Sequence, residues 1–180
     1  AEELVAIFRV DFDDEDDSDP LVSDEEVYRF LDRAQKQFAI KTDCFRGVDT
    51  TAITASTETV DISSRFTKIR SAKLASNGRR LPIYNYDGVE NQDFDDDYAS
   101  NIFQYDWENL TGEPRAIVLD MIQDKGRLVG IPNANDTLNL TVYRLPLTDI
   151  EDDSSDIELA DTEHQLALIY WMQYLAYSKQ

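Results

Sequence analysis

Val22-Ser23-Asp24-Glu25-Glu26-Val27 is the stretch from which the fold is read. Ser23 is followed three residues later by Glu26, the spacing at which a cap hydroxyl accepts from the N3 amide and the N3 carboxylate reaches back to the cap amide. Val22 and Val27 stand at the two positions of a hydrophobic staple around that cap. Asp24, Glu25 and Glu26 bring negative charge to the helix end where partial positive charge collects. A helix is therefore expected from residue 24 to about 39, with Val27, Leu31, Ala34 and Phe38 on one stripe and Phe30 widening it.

Upstream, residues 1–9 hold Leu4, Val5, Ile7 and Phe8 and are expected to form a short strand or an ordered arm. An acidic loop over 11–19 follows and ends at Pro20. Downstream, residues 46–147 change character: Thr, Ile, Val and Tyr become frequent and turn signals recur. Short strands are expected at 50–56, 57–62, 68–75 and 80–86, with Asn77-Gly78 as a type I′ hairpin turn and Asp87-Gly88 as a second turn. A further hairpin, 116–122 with 127–131, surrounds Asp124-Lys125-Gly126. Leu138, Leu140 and Val142 then alternate with Asn139, Thr141 and Tyr143, the period of a half-buried strand.

The chain closes on a second helix, 162–179, capped by Thr162 with Gln165 or by the competing Asp161. From Leu166 to Tyr177 every residue except Gln173 is apolar or aromatic. A surface helix shows one apolar stripe, so this one needs cover on at least two faces. The fold class read from this order is α+β: N- and C-terminal helices, 23–40 and 162–179, packed together, with an inserted antiparallel β-rich unit at 46–147, a sandwich or barrel. The whole, 1–180, is expected to be one domain.

Charge narrows the function. Asp and Glu number 37 against 17 Lys and Arg, a net charge of −20. Three clusters, 11–26, 90–97 and 149–163, hold 23 of those carboxylates. Such a chain is a poor candidate for gripping phosphate. No dinucleotide or P-loop glycine pattern is present. The single His, His164, has no nucleophile in a recognisable motif and is read as a packing or capping residue; the single Cys, Cys44, is read as a small core residue. Carboxylate pairs are abundant, but they lie in polar stretches rather than in the apolar pocket that an acid with raised pKa requires. The run from Asp11 fails as a calcium loop, because Asp16 stands where Gly is needed and Val22 where the bidentate Glu is needed. No catalytic, cofactor-binding or metal-binding residue is assigned. The mixed, acidic N-terminus is not expected to be a secretion signal. The longest apolar run, 166–172, is seven residues, where a membrane span takes about 20. Lys68, Arg70, Lys73, Arg79 and Arg80 gather around the 77–78 turn, suited either to an acidic partner, such as an identical neighbour, or to guarding a sheet edge.

The order of these features resembles a known family. The Ser-Asp-Glu-Glu box is followed by Arg79-Arg80 and Tyr84-Asn85-Tyr86. Gly112-Glu113-Pro114-Arg115 comes next, then LTVYRLPL at 140–147 and WMQYLAYSKQ at 171–180. Together they resemble the head-to-tail adaptor (connector, or head-completion) proteins of bacteriophages, broadly similar to tail tubular protein A. The resemblance implies a non-enzymatic virion protein of the neck, assembled in the host cytoplasm. It implies a homo-oligomeric ring, commonly a dodecamer, between the portal protein and the tail or nozzle protein, with DNA passing through its bore unbound and no cofactor or membrane. On this reading Leu166, Ile169, Tyr170, Trp171, Tyr174 and Tyr177 form the interface, packing against the first helix and a neighbour or the portal. Asp13, Asp14, Asp93, Asp95, Asp96 and Asp97 are the lumen-facing acids, repelling DNA so that it slides. The rival reading is an acidic β-rich binding module, or DNA mimic, that docks a basic protein as a monomer or dimer.

Overall fold

The structure, a computed structural model, describes residues 1–14, 21–90, 102–103, 107–159 and 161–178. It divides into two compact units: a helical one, Ala1–Phe45 with Arg144–Gln180, and a strand unit, Arg46–Tyr143. The architecture is α+β.

In the helical unit the capped helix forms as its sequence dictates. Helix α2 runs Asp24–Thr42, and the Ser23 hydroxyl accepts from the Glu26 amide at 3.4 Å. Val22 and Val27, the staple pair, are both buried. The helix ends at Asp43, which turns left-handed (φ 53°) and donates its N–H to the Ala39 carbonyl. This exit leaves Cys44 exposed rather than in the core. Phe45 instead packs toward the helices, beneath the Arg144 guanidinium.

The first residues are a helix, not a strand: α1 runs Glu2–Asp11. Leu4, Val5, Phe8 and Phe12 share one face at helical spacing, and all four are buried. The last helix, Thr162–Tyr177, is α4 among the described elements, and Asp161 rather than Thr162 is its cap, accepting from the Glu163 amide at 2.9 Å. Leu168, Ile169, Met172 and Ala176 join Phe8, Val27 and Leu31 in one core.

The strand unit holds eight strands among its described residues: β1 Arg46–Ile53, β2 Thr59–Asp61, β3 Phe66–Leu74, β4 Arg80–Leu81, β5 Ile83–Asn85, β6 Ala116–Ile122, β7 Lys125–Val129 and β8 Asp136–Arg144. They form two four-stranded sheets, β1-β8-β3-β4 and β2-β7-β6-β5, that are not closed into a barrel. Leu138, Leu140 and Val142 of β8 point inward as their alternation requires, and meet Val60, Ile117 and Leu128 of the other sheet. The unit is not purely antiparallel, since β5 runs parallel to β6. Pro82 marks where the chain changes sheet. It separates β4, paired with β3, from β5, paired with β6, so one apolar segment turns a corner and serves both sheets.

Two expected turns differ in kind. Between β3 and β4 the loop spans residues 75–79, and only Gly78 (φ 70°) takes the left-handed conformation. Asn77 lies outside that region, so this is a longer loop than a two-residue type I′ turn. Asp87-Gly88 lies inside a short helix, α3 (Tyr86–Glu90), whose Val89 packs with Ile102, Phe103, Ala116, Val118 and Val129 over the outer face of the second sheet. Strand β6 is therefore covered on both sides, which its unbroken Ala-Ile-Val run permits.

Candidate docking surfaces

Helix α4 resolves the puzzle of its all-round apolarity into two faces. Its core face is Leu168, Ile169, Met172, Leu175 and Ala176, each at most 7% exposed. Its other face is open: Leu166 is 46% exposed, Tyr170 71%, Tyr174 64% and Tyr177 62%. Steps of four and three residues along a helix return to one side, so these four make a continuous stripe. Trp171 lies at its margin, half-buried against the core, with the Lys41 ammonium 5.3 Å from its ring centre. Tyr177 closes the far end, its ring 5.0 Å from that of Phe12.

Of the six residues expected at an interface, the structure places five on or beside this stripe. Ile169 faces the core and has no surface to offer. His164, in the first turn of α4, packs on Phe38 at 5.5 Å and sits 3.6 Å from the Asp161 carboxylate.

The acidic clusters are less uniform than the sequence suggests. Asp14 is 3% exposed. Its carboxylate pairs with Arg9 at 2.8 Å and accepts the Leu21 amide at 2.6 Å. Arg9 also binds Asp24 and the Val22 carbonyl. The pair thus ties the end of α1 to the start of α2, and Asp14 spends its charge inside the protomer. Asp13 is exposed, with a left-handed backbone (φ 58°). Asp93, Asp95, Asp96 and Asp97 lie outside the described residues.

The third cluster is pinned along α2. Asp149 pairs with Lys36 at 2.9 Å, and the Ile150 amide donates to Asp32. The Tyr28 hydroxyl donates to Asp153, and burial together with that bond raises the Tyr28 pKa. The Glu158 amide donates to Gln35 at 3.0 Å, while its carboxylate takes a two-pronged grip from Arg144 and accepts the Leu147 amide. The guanidinium holds the Glu158 carboxyl below its ordinary pKa. Between these fixed points Glu151, Asp152 and Asp156 face solvent.

The strand unit carries the opposite sign on one side. A cleft of about 1320 Å³ opens between β3, the β4–β5 corner and the β6–β7 hairpin. Half-buried Phe66, Ile69, Ile83 and Leu119 floor it as an extension of the core between the sheets. Lys68, Arg70 and Arg80 line its β3–β4 side; Asp120, Asp124 and Lys125 line the other, with Lys125 3.2 Å from Asp61. Among the described residues no group of three His, Cys, Asp or Glu side chains is placed to hold a metal ion. No described helix is long and apolar enough to cross a membrane.

Comparison with known proteins agrees with a surface-built role. A family model described as the SU10 adaptor protein matches residues 1–180, the whole chain. It bears on head–tail adaptors as a class, not on the narrower likeness to tail tubular protein A. No curated protein matches the chain.

Proposed function

The chain belongs to the SU10 adaptor protein family of phage head–tail adaptors, structural proteins of the virion that meet other head and tail proteins, and on that premise we propose that it assembles into a ring. The ring, a dodecamer of the kind such adaptors form, sits between the portal protein and the tail or nozzle protein. Its two units act as one adaptor domain. DNA passes through the bore without being held, and the protein performs no chemistry of its own.

The observation that carries this reading is the α4 stripe. Leu166, Tyr170, Tyr174 and Tyr177 form an apolar, aromatic surface too coherent to be scattered exposure. Rigid aromatics with a polar tip are the residue type that dominates protein interfaces. The stripe is the contact with a neighbouring subunit or the portal, and Trp171 supports it from behind. The net charge of −20 fits the same role. A bore lined with Lys and Arg would bind DNA by releasing its counterions, and a bore lined with carboxylates does not. Asp13 and the acids at 93, 95, 96 and 97 are the proposed lumen residues. Asp14 is omitted because Arg9 neutralises it.

Light scattering of the purified chain, with and without portal protein, tests the proposal. A ring is expected in at least one of the two samples. A monomer or dimer in both would favour the acidic module that docks a basic partner. The paired variant Tyr170→Ala/Tyr174→Ala is expected to keep its helical spectrum and lose about tenfold or more in assembly affinity. Unchanged assembly would remove the stripe from the account.

A further inference from the structure

Residues 62–86 hold six Lys and Arg and no Asp or Glu, in a chain of net charge −20. The segment forms β3, β4 and β5, which supply much of the wall of the cleft between the sheets. The helical unit is the reverse: 22 Asp and Glu stand there against seven Lys and Arg. One polypeptide thus carries a cationic cleft with an apolar floor on one unit and a strongly anionic surface on the other.

The cleft, at about 1320 Å³, is larger than the ~300–1,000 Å³ of small-molecule pockets. It also lacks the enclosing apolar walls of such a pocket and suits a peptide segment. Charge complementarity names the sign of that segment. The best-prepared anionic segment in the structure is the loop at 151–156. Lys36, Asp32, Tyr28 and Gln35 of α2 fix the chain on either side of it and at Asp153. Asp152 accepts from Ser154 and Ser155, bonds that hold its carboxyl below the ordinary pKa and keep the loop in shape. Glu151, Asp152 and Asp156 project outward from this frame, so little ordering entropy remains to be lost on docking.

We propose that the cleft receives the 151–156 loop of a second copy of the chain, with Lys68, Arg70 and Arg80 facing its carboxylates. This rests on the ring reading and deepens it. A cleft that takes a different patch of the next subunit is a heterologous contact, and such contacts close into rings when the rotation allows. Each subunit then gives a loop to one neighbour and a cleft to the other.

Charge exchange tests it. The cleft variant Arg70→Glu/Arg80→Glu and the loop variant Glu151→Lys/Asp156→Lys change exposed side chains and are expected to keep the wild-type circular dichroism spectrum. Each alone is expected to need about tenfold or more protein to assemble, read by light scattering or native mass spectrometry. Mixed one to one, or combined in a single chain, the four substitutions restore opposite signs across the contact, and assembly is expected to recover. Loss without recovery in both combinations would overturn the proposal, as would full assembly of either variant alone. If the wild type assembles and the variants do too, the ring reading survives and the cleft contact falls. A wild-type chain that stays monomeric with and without portal protein overturns both.

Discussion

Neighbouring residues on α4 carry opposite duties. Ile169 is 2% exposed and Tyr170 is 71% exposed, though both read as apolar in the sequence. Ile169→Ala removes buried methyl groups and leaves a cavity, at a cost of about 2–5 kcal/mol. Tyr170→Ala removes little that the protomer uses and is expected to change stability by less than about 0.5 kcal/mol. Chemical denaturation of the two variants checks the contrast. Equal losses would mean that the tyrosine is also packed. Asp14 makes the same point for charge. It sits in a run that reads as solvated, yet Arg9 and two backbone amides occupy its oxygens. Asp14→Ala leaves the Arg9 guanidinium, 14% exposed, short of a partner, and is expected to cost about 1–3 kcal/mol. The same substitution at exposed Asp13 is expected to cost far less.

At the scale of elements, the legible parts were those written in local pattern. The cap at Ser23 and the alternation of β8 follow from spacing alone, as does the existence of the β6–β7 hairpin, although its turn is Gln123-Asp124 and β7 begins at Lys125 rather than at residue 127. What escaped depended on partners distant in sequence. Residues 1–9 are too short to separate helix from strand by apolar content, and α4 decided the matter by offering α1 a face. The β4–β5 segment read as one strand because its switch of sheet at Pro82 is a tertiary event. The 149–163 segment read as loop because nothing local reveals that α2 would bind it at Asp149, Ile150, Asp153 and Glu158. A further bond, from Arg144 at the end of β8 to Glu158, makes the segment pH-sensitive. Arg144 depresses the Glu158 pKa, so the stabilisation is present above the unfolded carboxylate value and is lost as pH falls through the lower folded value. Thermal melts between pH 7 and pH 3 are expected to show the wild type losing more stability on acidification than Glu158→Gln, which is already uncharged there. Parallel curves would mean that the Arg144 grip contributes nothing to folding.

For the whole molecule the sequence disclosed sign and composition, and the structure distributes them. Twenty excess charges on each subunit oppose assembly, and the carboxylates nearest a neighbour oppose it most. Salt shortens the reach of that repulsion to about 8–10 Å near physiological strength. The aromatic stripe on α4 supplies the non-electrostatic attraction that a polyanion needs to associate. The candidate docking residues were visible in the sequence as a helix with too much apolar surface. Which of them face outward was not, because that depends on where α1 and α2 dock. The measurement that tests this account most directly is electron microscopy of the purified chain mixed with portal protein, beside the Tyr170→Ala/Tyr174→Ala variant. The account predicts closed rings for the wild type and few or none for the variant at the same concentration. Rings that form equally well without the two tyrosines, or a wild type that stays monomeric beside the portal, would contradict it.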